Sequence, residues 1–280
     1  MEEDNAPQRR HKDTTPGHHD GRSPPHRQTL RHHLVAALGE FVGTFLFLFF
    51  GYASHSMIAT AERPTPEGLR DGYSAQANIF IALAYGMTIL VTVWAMYRIS
   101  GGLFNPAITL GLGLAGQLPW IRIAVLFPTQ LVASICAGAV IEAMIPGPIS
   151  RVNTKLAPDV SLAQGLFLEM FFTAYLLFVV LMVAAEKSKD TFIAPVAIGL
   201  AAFVAMIPGA YYTGASLNPA RSFGCAVAGL EFPDHHWIYW VGPFMGSVVG
   251  AAFYRILKFL NYEEANPGQD SDYPLYSQRV

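Results

Sequence analysis

The sequence predicts an all-α membrane protein, with six transmembrane helices and two re-entrant half-helices set in an inverted 3+3 repeat. Three observations carry that expectation: six long apolar stretches, two short apolar segments that each open on Asn-Pro-Ala, and an internal duplication that pairs them. Composition sets the class. Hydrophobic residues make up 52% of the 280 positions and charged ones 14%, against about a quarter in an ordinary soluble domain. The net charge of −2 gives no footing for nucleic acid. Cys136 and Cys225 both lie in apolar surroundings and are not expected to pair.

The apolar stretches run at about 34–58, 76–97, 119–145, 161–185, 191–208 and 237–258. Each approaches or exceeds the ~20 residues that a helix needs to cross the hydrocarbon layer. A helix satisfies its own backbone hydrogen bonds there, so six spans are expected. The fifth is the shortest and gives way to an irregular segment at 208–212. An even count puts both termini on one side. That side would hold Arg9, Arg10, Lys12, Arg22, Arg27, Arg31, Arg98, Arg122, Lys187, Lys189, Arg255, Lys258 and Arg279, thirteen of the eighteen cations. Arg63, Arg70, Arg151, Lys155 and Arg221 remain opposite. The positive-inside rule assigns the termini to the cytoplasm, with the plasma membrane or an internal membrane as host.

Residues 1–33 are polar, with no apolar core of a signal peptide and no Phe, Trp or Tyr, and are expected to form a disordered tail. Its histidines at 11, 18, 19, 26, 32 and 33 belong to that solvated tail rather than to a metal site. A second polar tail follows at 261–280. Between them, 34–260 is expected to form the membrane-spanning domain, its first repeat about 34–145 and its second about 161–260.

The duplication is read by laying LFNPA (103–107) on SLNPA (216–220), an offset of 113 residues from Asn105 to Asn218. Gly101 then falls on Gly214, Ser100 on Thr213 and Gly86 on Gly199. Glu40 and Thr44 stand four apart, as do Glu169 and Thr173. Three spans per half is odd, so the second half must insert upside down, and the halves meet at the midplane.

The segments 105–114 and 218–228 are too short to cross. Each begins with Asn, a favoured N-cap, followed by Pro, favoured at the first helical position. They read as half-helices dipping from opposite faces, their N-termini meeting at the centre. Each N-terminus carries about half a positive charge, so the pair repels cations, hydronium included. The side-chain amides of Asn105 and Asn218 can donate to a passing oxygen and orient it. The extended residues before them, Gly102, Leu103 and Phe104 and then Ala215, Ser216 and Leu217, would turn carbonyls into a wet path, where irregular backbone is tolerable. Arg221 is a lone charge in an apolar segment, three residues after Asn218, and is functional by default.

On the residues Ser100–Ala107 and Thr213–Ser222, with the GEFVGT context of Glu40, the chain resembles the aquaporin, or major intrinsic protein, family over about 34–260. The resemblance implies a right-handed bundle assembled as a homotetramer, with one pore per subunit. It implies a passive channel for water or other small neutral solutes, with Asn105, Pro106, Ala107, Asn218, Pro219 and Ala220 at its centre. It makes Arg221 the arginine of an outer constriction. Counting from the two asparagines, the other constriction positions are Tyr85, Met206 and Ala215. Tyr85 and Met206 depart from the water-specific pattern of Phe and His. Ser222 after the arginine, and Tyr239-Trp240 before Gly242-Pro243, agree with water channels. Hydrogen peroxide, close to water in size and polarity, is a credible second permeant; the alternatives are a channel fold that is closed or does not conduct, and a glycerol-type facilitator.

Glu40 and Glu169, at equivalent positions, are expected to accept hydrogen bonds from the re-entrant backbone. Glycines at 39 and 43, and at 242, 246 and 250, permit close helix packing. A secondary transporter would need acidic or histidine groups beside the Asn-Pro-Ala segments, and none adjoins them. No nucleophile–base pair suggests an enzyme, and no cofactor or metal is expected.

Overall fold

The computed structural model describes residues 30–62, 73–186 and 189–266. Among the described residues, eight α-helices form a single bundle: α1 (Leu30–Ala61), α2 (Ala75–Met96), α3 (Pro106–Leu114), α4 (Trp120–Met144), α5 (Leu162–Val180), α6 (Ala194–Tyr212), α7 (Pro219–Ala228) and α8 (Ile238–Phe259). Six of them are long and apolar enough to cross a membrane. The other two, α3 and α7, have nine and ten residues. At 1.5 Å per residue they reach about half-way through the hydrocarbon.

The packing repeats itself. Helix α1 packs on α2 and α4 as α5 packs on α6 and α8, while α3 lies against α8 as α7 lies against α4. The remaining large contact, α2 with α6, joins equivalent elements and therefore sits on the pseudo-twofold axis. Gly86 and Gly199 mark that axis. A Cβ at Gly86 would come within 3.0 Å of the Gly199 carbonyl oxygen, and one at Gly199 within 2.8 Å of the Gly86 carbonyl oxygen. Two residues related by an axis meet each other only on it.

The small residues of α8 act as expected, whereas Gly39 and Gly43 of α1 face side chains of the segment that follows α2. Gly242 and Gly246 bring α8 onto the α5 backbone, where an added Cβ would lie 2.9 Å from Leu166 O and 2.5 Å from Met170 O. Gly43, by contrast, admits a side chain: its Cβ would fall 2.0 Å from the Phe104 ring of the re-entrant segment. Replacing Gly43 with alanine is expected to displace that ring and cost about 1–3 kcal/mol. Thermal unfolding in detergent measures the loss.

Helix ends depart from the sequence reading at three places. Helix α1 begins at Leu30 rather than near 34, because nothing in Arg31-His32-His33 breaks a helix whose apolar face is already packed. The segment 208–212, expected to be irregular, continues α6 through Pro208 to Tyr212, its freed backbone tolerated inside a bundle. Helix α5 ends in a π turn, Leu181–Ala185, where the Tyr97 hydroxyl donates to Ala184 O at 3.1 Å. Beyond α8, Tyr262–Glu264 forms a short 3-10 turn, and Lys258 pairs with Glu263 at 2.6 Å. The tail histidines at 11, 18, 19 and 26, and the tail from 267 onward, lie outside the described residues.

Candidate functional site

The two half-helices start where the sequence motif says they should. Asn105 and Asn218 are extended (φ −151° in both) and cap α3 and α7, each accepting from the backbone two residues on, Ala107 N and Ala220 N at 2.9 Å. Pro106 and Pro219 occupy the first helical positions, and Ala107 and Ala220 are buried beside them. The tips are tied across the axis. Asn105 Nδ2 donates to Leu217 O at 2.8 Å, and Asn218 Nδ2 donates to Phe104 O at 2.8 Å. Each amide therefore keeps one further hydrogen for the space between them. The carbonyls of Phe104 and Leu217, expected to face the path, spend one lone pair each on this cross-bond.

The backbone leading to each tip is left-handed in register with the duplication. Positive φ occurs at Gly101, Gly102 and Phe104 in the first loop, and at Gly214, Ala215 and Leu217 in the second. Offset by 113 residues, these are the same three positions. Phe104, Ala215 and Leu217 hold φ +50° without being glycine, at a cost of about 1–2 kcal/mol each. The buried carboxylates offset it. Glu40 accepts from Leu103 N at 2.9 Å, Phe104 N at 2.8 Å and the Ser100 hydroxyl at 2.7 Å. Glu169 accepts from Ser216 N at 2.9 Å, Leu217 N at 2.7 Å and the Thr213 hydroxyl at 2.6 Å. Gln130 adds a fourth donor to Glu40, at 2.8 Å, with no counterpart at Glu169, because the equivalent position is Pro243.

Three cavities lie in succession along the bundle. The mouth on the side opposite the described chain ends is wide, about 1180 Å³, and includes His55, Tyr73, Asn78, Arg151, Lys155 and Gly214 in its wall. The mouth on the other side, about 160 Å³, is lined by Gly102, Leu103, Asn105, Tyr97 and Ile89 among others. Between them is a constriction of about 30 Å³. All four counted positions, Tyr85, Met206, Ala215 and Arg221, line it together with Asn105, Asn218, Ser216 and Leu217. Its remaining wall, Phe47, Ile89, Leu176 and Ala202, is apolar.

Arg221 is buried yet fixed. Its Nη1 donates to Val152 O at 3.0 Å, its own carbonyl accepts from Tyr52 Oη at 2.5 Å, and its Cζ stands 5.2 Å from the Tyr85 ring centroid. Its Nε and Nη2, and the Tyr85 hydroxyl, have no partner among the described residues. At the rim, Lys155 and Glu231 pair at 2.5 Å, and that lysine's hydrogen bond holds the Glu231 carboxyl below its usual range. His235 accepts from Leu156 N at 3.3 Å, and burial lowers its pKa.

Sequence reasoning missed His55, Tyr52, Val152 and Gln130. Tyr52, His55 and Gln130 carried a signal, being polar groups inside apolar spans; Val152 contributes only its carbonyl, which no side chain announces.

An all-helical bundle of six crossing helices, with two half-helices meeting tip to tip over an axial row of cavities, defines a multi-pass membrane channel. The family model described as "Major intrinsic protein" matches residues 28–254. Among curated proteins, the chain is 60% identical over 239 residues to a "Probable aquaporin-3" of Gibberella zeae, covering 85% of this chain and 83% of that one. It is 49% identical to an "Aquaporin-2" of Botryotinia fuckeliana, covering 86% of this chain and 63% of the relative. A solved aquaglyceroporin from Plasmodium falciparum superposes with a TM-score of 0.69 at 23% identity, over 82% of this chain and 99% of that one, a likeness of fold alone. The chain belongs to the major intrinsic protein, or aquaporin, family.

Proposed function

We propose that the chain is a passive water channel that excludes ions and protons, with Tyr85, Met206, Ala215 and Arg221 as its selectivity filter. The observation that carries this reading is the constriction itself. About 30 Å³ is room for roughly one or two waters. Its side-chain polar atoms without a partner among the described residues are Arg221 Nε and Nη2 and the Tyr85 hydroxyl, which with the second amide hydrogens of Asn105 and Asn218 set a few donors against a wall that is otherwise largely apolar. A water passing there exchanges its lost neighbours for those donors; a hydrated ion would lose a whole shell for a site that already carries positive charge.

Proton exclusion follows from the tips. Two helix N-termini and one buried guanidinium raise the potential along the same short path. The free hydrogen of each asparagine amide donates to the water oxygen, so that water's own hydrogens point away from the centre and the proton wire is interrupted. Hydrogen peroxide, with the same donor and acceptor chemistry, is proposed as a second permeant. The termini are proposed to be cytoplasmic from the distribution of cations, and the subunit to act within a homotetramer whose apolar outer faces, such as Phe171 and Val248, meet lipid or neighbouring subunits.

Stopped-flow light scattering on proteoliposomes tests the assignment, using water, peroxide and glycerol gradients in turn. Shrinkage in an impermeant osmolyte is expected on the order of tenfold faster than in empty vesicles. Rapid glycerol entry with slow shrinkage would overturn the water assignment.

A further inference from the structure

His55 stands out among the buried polar groups that the reading above does not use. It lies in α1, is 4% exposed, and neither ring nitrogen has a partner among the described residues. A neutral imidazole carries one donor and one acceptor, and burying both unmade is unfavourable. The ring meets Tyr73 edge-on at 5.4 Å and Tyr85 at 6.1 Å, and it forms part of the wall of the outer cavity. Both nitrogens are shut off from solvent in this packing, and the outer cavity that the residue borders is the side from which a small molecule could meet them.

Phe47 is the α1 residue that lines the constriction, and the turn that ends at His55 backs two of its other lining residues. Gly51 leaves room for the Tyr85 ring, where a Cβ would come within 2.5 Å of it, and Tyr52 holds the Arg221 carbonyl. Tyr85 is thus the shared neighbour of the Arg221 guanidinium, at 5.2 Å, and of the His55 ring. Deeper in, Met206 offers no donor, and Phe47, Ile89, Leu176 and Ala202 in the same wall are apolar.

We propose that His55 is a permeant-binding residue, forming with Tyr85 and Arg221 an outer subsite for a small hydroxylic molecule such as water or hydrogen peroxide. The inference rests on the conduction reading given above. His55 hydrogen-bonds the molecule one step before Arg221 does, so the permeant sheds its neighbours in two stages rather than one. A ring that merely fills the gap between Tyr73 and Tyr85 would do none of this.

Two substitutions separate the roles. H55F keeps a flat ring and removes both hydrogen-bonding groups; H55Q keeps a donor and an acceptor and removes the ring. Water permeability per channel is measured by stopped flow on proteoliposomes with the incorporated protein counted. H55F is expected to lower it about fivefold, the effect of one lost hydrogen bond at the barrier, and H55Q to stay within about twofold. No loss in H55F, or an equal loss in both variants, overturns the proposal and leaves the conduction reading intact. Wild-type vesicles that shrink no faster than empty ones overturn both.

Discussion

Glutamine in place of Glu169 is expected to lower the melting temperature of the purified protein by about 5–10 °C, while leaving water flux per folded channel within about twofold. The carboxylate accepts from three donors, two of them backbone N–H groups of a loop that carries Ala215 and Leu217 at φ +50°. An amide keeps one oxygen. If that oxygen serves Thr213 and Ser216, the amide nitrogen faces Leu217 N, donor against donor in a dry interior. A buried donor left in that state costs about 1–3 kcal/mol, and the charge-assisted character of the other two bonds is lost as well. At Glu40 the same substitution is expected to cost less, because the Gln130 amide, now bonded through Nε2, can turn and present its oxygen. Circular dichroism or dye-based melting in detergent orders the pair. Unchanged melting in E169Q together with increased proton leak would instead make the carboxylate part of a relay.

The difference between the two glutamates shows where sequence reading stopped. The offset of 113 residues identifies equivalent positions, and the constriction collects every residue counted from the two asparagines: Tyr85, Met206, Ala215 and Arg221 all border one cavity. Spacing along a chain carries that information because helices and half-helices have fixed rise. Equivalence does not say what equivalent residues touch. The cross-bonds from Asn105 to Leu217 O and from Asn218 to Phe104 O join residues related only through the axis, and a carbonyl has no side chain to mark it. The residues before each tip, expected to be extended, are left-handed at Gly102, Phe104, Ala215 and Leu217; at Phe104 an aromatic residue holds that conformation because Glu40 and the gap at Gly43 fix it. Pro208 misled for a related reason. Proline ends helices in water, whereas packed helices can re-satisfy the freed carbonyl within the bundle.

Valine in place of Arg221 is expected to raise glycerol permeability and monovalent-cation conductance on the order of tenfold or more, while water permeability stays within about twofold. At an effective dielectric of about 20, a cation 4 Å from the guanidinium meets a barrier of about 4 kcal/mol, and that charge is held in place by Val152 O and the Tyr85 ring, while Tyr52 fixes the residue's backbone carbonyl. Removing it leaves the helix N-termini as the remaining positive field, each worth about half a charge, which is why cation flux is expected to rise without becoming unrestricted. Glycerol responds to a different property, the width of the 30 Å³ constriction, which valine opens. R221K tells charge from shape. Lysine keeps the charge but not the planar fork that reaches Val152 while aiming Nε and Nη2 elsewhere. Ions should therefore stay excluded in R221K while glycerol entry rises about threefold. Water, glycerol and ion fluxes in R221V that all match the wild type would mean that the guanidinium stands outside the conduction path, and the charge barrier would then have to come from the asparagine-capped tips alone.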